Sequence, residues 1–68
     1  MREYVEIGGH DVEIEVVPPF SGYAHCPIST CFNAVMPLRA DDETEEGAKQ
    51  SIINKMKEHL RSEHGEKL

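Results

Sequence analysis

The chain has 68 residues, a formal charge of −6 at neutral pH, two cysteines and no tryptophan. A chain this short forms one small domain with a marginal core, so a staple of some kind would help it fold. The acidic balance excludes broad affinity for nucleic acid unless the basic groups gather on one face, and there is no apolar run of about 18 residues to span a membrane.

The opening residues, MREYVEIGGH, lack the apolar stretch of a secretory signal. An intracellular, reducing compartment is therefore expected: cytoplasm, or nucleus in a eukaryote. There, thiols serve as ligands more often than as disulfides. The stretch YVEIGGHDVEIEVV, 4–17, predicts a β-hairpin, because apolar and polar residues alternate and Gly8-Gly9 supplies the positive φ angles of a tight turn. A two-residue loop pairs Ile7 with His10 and Val5 with Val12. Val5, Ile7, Val12, Ile14 and Val16 then share one face, with Glu6, Asp11, Glu13 and Glu15 on the other. Pro18-Pro19 cannot donate ladder hydrogen bonds and ends the second strand.

FSGYAHCPISTCFNAVMPL, 20–38, reads as a second, shorter hairpin. Phe20, Tyr23, Phe32 and Val35 are its strand formers, Cys26 and Cys31 bracket a Pro-Ile-Ser-Thr turn, and Pro37 closes it. RADDETEEG, 39–47, is expected to be a solvated acidic lead-in to a helix, with Asp41, Asp42 and Thr44 as candidate N-caps. From Ala48 to Glu63 the helix signal is strong, because Ile52, Ile53, Met56, His59 and Leu60 recur at spacings of three and four. Gly65 is the expected stop, and the closing GEKL reads as a frayed tail. His10 is placed at the first hairpin's turn. The fold class is α+β: two hairpins and one long helix packed across them.

Both cysteines fall in AHCPISTC, 24–31, and two of the four histidines fall in KEHLRSEH, 57–64. Structural zinc takes four nitrogen or sulfur ligands in a tetrahedron, and thiolates and neutral imidazoles suit it. Four residues separate Cys26 from Cys31, enough for a knuckle that brings both sulfurs to one ion. His59 and His64 likewise have four residues between them. On an ideal helix they lie about 140° apart, so sharing an ion requires the last turn to loosen or tighten. The alternatives are two free thiols with two surface imidazoles, or a Cys26–Cys31 disulfide. A single structural zinc on Cys26, Cys31, His59 and His64 is the preferred reading, because the small core gains most from it.

These residues resemble the C2H2-type zinc finger, a β-hairpin followed by a helix. The motif spans residues 23–64, with Cys26 and Cys31 at the knuckle positions and His59 and His64 at the helix positions. Met56 stands where the family has leucine, three residues before its first histidine, and Val35 stands near its core aromatic. Two departures mark this chain. Its Cys31-to-His59 spacer holds 27 residues, against about 12 in the usual finger, and a whole hairpin precedes the motif. The organisation implied is a single zinc-binding domain over 1–68, with an N-terminal hairpin at 1–19 and a zinc-finger-like unit at 20–65.

Four protein ligands would leave zinc no open position for water, and no nucleophile–base set is visible, so no enzymatic activity is expected. The resemblance implies DNA binding, with base-reading places falling on Ile52, Lys55 and Glu58, and with Lys49, Lys55, Lys57 and Arg61 as phosphate contacts. Charge weighs against it. Residues 1–48 carry ten carboxylates against Arg2 and Arg39, a balance of −8, and residues 49–68 carry five cations against three glutamates, a balance of +2. The favoured role is a protein-interaction adaptor, with an acidic strand face suited to a basic partner. A DNA-binding transcriptional regulator is the alternative.

Overall fold

The computed structural model describes residues 1–68. Four antiparallel strands form one sheet in chain order: β1 (Arg2–Ile7), β2 (His10–Val17), β3 (Ser21–Ala24) and β4 (Leu38–Asp41). A single helix, α1 (Glu45–His64), packs on one face. The architecture is α+β, and the two hairpins do join in one sheet.

The first hairpin has the expected register. Ile7 faces His10 and Val5 faces Val12, around Gly8 and Gly9 with φ of 58° and 83°. Alternation then sends Ile7, Val12, Ile14 and Val16 inward, where all four are buried. The core joins Ile7, Val12, Ile14 and Ala24 of the sheet and Cys26 to Ile52, Ile53, Met56 and Leu60 of the helix. The helix passes close over β3 at Gly22, which has no side chain. A Cβ on Gly22 would stand 2.8 Å from the Ala48 carbonyl oxygen and 3.0 Å from Ile52 Cβ.

The second hairpin differs from expectation. Its arms are β3 and β4, with Ala24 opposite Leu38 and Ser21 opposite Asp41. Phe32 lies in a 3₁₀ turn, Phe32–Ala34, and Val35 follows directly; their side chains are 72% and 75% exposed. Val35 is therefore not a core residue. Pro27 and Pro37 cannot donate to a ladder, and the segment between them satisfies itself with tight turns: Cys31 N–H to Ile28 O at 3.0 Å and Ala34 N–H to Cys31 O at 3.0 Å. Residues 39–41 are strand rather than a solvated lead-in. Leu38 and Ala40 alternate with exposed Arg39 and Asp41 and turn toward the core.

The helix begins three residues before Ala48. Thr44 is its N-cap, its Oγ1 accepting from Gly47 N–H at 2.9 Å, and Glu45 and Glu46 occupy the positive end of the helix dipole. Gly65 ends it at φ 65°, in the left-handed conformation that glycine adopts without penalty. The tail is not frayed. Glu66 N–H donates to Leu60 O at 3.2 Å, and Leu68 lies against Gly8.

Candidate metal centre

Cys26 and Cys31 come from the start of the β3–β4 connection, and His59 and His64 come from the last turns of α1. The fold brings all four together: their ligand atoms lie within 4.8 Å of one another. Cys26 Sγ is 3.4 Å from His64 Nε2, and Cys31 Sγ is 3.4 Å from His59 Nε2. In a zinc tetrahedron with ordinary bond lengths a sulfur and a nitrogen stand about 3.5 Å apart. One such contact is equally the geometry of a thiol–imidazole hydrogen bond. Two such contacts within one cluster 4.8 Å across are compatible with a single four-ligand metal site.

Local structure explains the convergence. Cys26 N–H donates to Asn33 O at 2.8 Å, which folds the connection back on itself and turns both sulfurs to one side. The helix runs to His64, and its last turn loosens as the ~140° separation requires: Gly65 N–H bonds Leu60 O, five residues back instead of four. The side chains close the rest of the gap. The His59 and His64 rings approach to 5.1 Å between centroids at an interplanar angle of 74°, and each presents its outermost nitrogen, Nε2, to a sulfur. Side-chain reach adds to the loosened turn.

The centre is half inside the protein. Cys26 is buried, and Cys31, His59 and His64 are partly buried. Both thiols are free. Burial pushes the Cys26 thiol above its ordinary range. A backbone hydrogen bond from Ile28 pulls the other way, and the neighbouring Cys31 and the Glu66 carboxylate add to the upward push. The Ile28 contact favours thiolate, as metal-bound sulfur requires. Two soft thiols, two imidazoles and a backbone donor to sulfur suit zinc well.

Comparison with family models, curated proteins and solved structures gives no match. The centre must speak for itself. The four-ligand cluster, with strands before it and a helix carrying its histidines, is compatible with a zinc-finger-like unit.

The remaining histidines and the four candidate cations sit elsewhere. His25 is exposed and donates through Nδ1 to Ala34 O at 3.1 Å, away from the cluster. His10 bonds Glu66. Of the four cations, Lys49 forms an ion pair with Glu3 that holds its ammonium above the ordinary range. Lys55 donates to Arg39 O at 2.7 Å. Arg61 donates to Glu58 at 2.8 Å and to Leu68 O at 3.0 Å. Only Lys57 is exposed without such a contact. Ile52, one of the base-reading places, is fully buried. The tail contacts of Glu66 and Leu68 were missed by sequence reasoning, because they join residues at opposite ends of the chain.

Proposed function

We propose that the chain is a structural-zinc protein without enzymatic activity, holding one ion on Cys26, Cys31, His59 and His64 and acting by contact with a basic protein partner. The convergence of four ligand atoms within 4.8 Å, from segments that are 28 and 38 residues apart in sequence, carries the metal reading. All four positions are protein ligands, which leaves no place for a reactive water. Zinc would supply the link between the β3–β4 connection and the helix end.

The outer face of the sheet supports the choice of partner. Glu6 stands directly opposite Asp11 across β1 and β2, a like-charge pairing that costs stability. Glu13 and Glu15 continue the acidic row, answered by Arg2 alone at 3.8 and 3.2 Å. A groove of about 310 Å³ is lined by Glu13, Glu15, Tyr23, His25 and Arg2 itself, with room for a second basic side chain beside the glutamates. The alternative, a DNA-binding regulator, draws less support: three of its four candidate cations are engaged within the protein.

Native mass spectrometry before and after chelation tests the metal, with one zinc per chain expected. Titration with a lysine-rich peptide and with duplex DNA at about 0.15 M salt tests the partner. Peptide binding that Glu6→Gln/Asp11→Asn weakens supports the adaptor reading. Sub-micromolar binding to one selected duplex, weakened by Lys55→Ala, overturns it.

A further inference from the structure

We propose that the segment after the helix, Gly65–Leu68, and the β1–β2 turn form a clasp that keeps His64 in place and sets how slowly the metal leaves. The inference rests on the zinc reading above. His64 is the last residue of α1, and a ligand at a helix end sits where backbone hydrogen bonds are fewest and fraying starts. Left alone, it would be the weakest of the four.

It is not left alone. Gly65 reverses the chain in the left-handed conformation, and Glu66 N–H returns to Leu60 O. His10 Nε2 then donates to Glu66 Oε2 at 2.8 Å, a bond between residues 56 apart in sequence, with the two side chains only 29% and 24% exposed. The close follows at the tip. Leu68 Cδ2 lies 2.5 Å from where a Cβ on Gly8 would stand, and Glu66 Oε1 lies 3.1 Å from it, so the turn is bare of side chain where the tail crosses. Arg61 Nη2 donates to Leu68 O at 3.0 Å and ties the same segment to the helix. The tail is thus fastened on both sides, to the turn and to α1.

The consequence is kinetic. Zinc leaves such a centre by losing one ligand first, and the ligand at the helix terminus goes first unless something holds it. His10 and Glu66 touch no ligand atom, so they act as positioning residues, like the outer-shell partners that steady ligands in other metal sites. Either a carboxylate or an amide oxygen at position 66 can accept from His10, so Glu66→Gln preserves the clasp and Glu66→Ala opens it.

The test is zinc transfer from the loaded full chain to an excess of a chromogenic chelator. Glu66→Ala and His10→Ala each still bind one zinc but release it about tenfold faster, the lower end of what removing outer-shell partners costs. The double variant is no faster than either single one, because both break the same bond. Glu66→Gln releases at close to the parental rate, a rescue that general loosening of the tail would not give. Lys67→Ala, changed at an exposed position, leaves the rate unaltered. Parental release from both alanine variants overturns the clasp while leaving the zinc centre standing. Absence of zinc from the parent in native mass spectrometry removes the centre and the clasp together.

Discussion

In the β1–β2 hairpin, Val5, Ile7, Val12, Ile14 and Val16 all turn toward the core, and four of them are buried. In the β3–β4 connection, residues 25–37, Cys26 is the only buried side chain, while Phe32, Val35 and Met36 face solvent. The hairpin is shaped by apolar burial that any strand pair of that pattern would seek. The connection has little of that force, with Cys26 in the core and Ile28 and Cys31 packed against its edge. Its shape rests on a few backbone hydrogen bonds and on two sulfurs meeting two imidazoles. Where packing is thin, the contacts between the two sulfurs and the two imidazoles carry more of the structure.

The largest effect should come from breaking the ligation. Chelation, or Cys26→Ser, should remove the metal and collapse the cooperative fold, since structural zinc contributes about 10–16 kcal/mol of apparent binding energy in small peptides. Circular dichroism with metal analysis checks it; a folded protein in chelator at neutral pH would mean that the hairpin core suffices. Acid should act in the same direction. Ligation needs deprotonated thiols and imidazoles, so zinc affinity falls as pH falls, and competition titrations across the acid range would trace the loss.

Next in size is the hairpin side. Ile14 is fully buried, and Ile14→Ala in the zinc-loaded protein should cost about 2–5 kcal/mol in urea denaturation. A cost under about 0.5 kcal/mol, the range of surface changes, would make the hairpin an appendage to the centre. Gly22→Ala should cost about 1–3 kcal/mol by overpacking, because its Cβ would press on the Ala48 carbonyl, which is backbone and yields poorly. Smallest of all should be Phe32→Ser, within about 0.5 kcal/mol and with zinc content unchanged, because Phe32 packs into no core. A loss as large as that of Ile14→Ala would erase the contrast between the two regions.

The same contrast governs what was legible in the sequence. Period-two alternation and a Gly-Gly turn define the first hairpin almost completely, because there the pattern and the burial are the same fact. The helix stripe was readable for the same reason, and Thr44 was one of three cap candidates. The connection was not. Phe32 and Val35 look like strand formers, yet propensity cannot act where no neighbouring strand is offered. Leu38–Asp41 alternates over four residues, too few to stand out beside an acidic run. The four residues of the cluster were legible by spacing and type. Their geometry was not, since the angle between His59 and His64 depends on side-chain reach as well as on helical phase. The tail contacts join residues at opposite ends of the chain, beyond any local pattern.

An open sheet has two edges, each able to pair with another chain. In this protein β1 and β4 are those edges. Glu3 points into the core side of β1 and is held there by Lys49, an inward charge that a partner strand would have to accommodate. At β4, only four residues long, the Lys55 ammonium already occupies the Arg39 carbonyl oxygen. Two helix lysines that a DNA-binding finger would spend on phosphates thus guard the two borders of the sheet, and the molecule should stay monodisperse at concentrations where an unguarded sheet would add strand to strand.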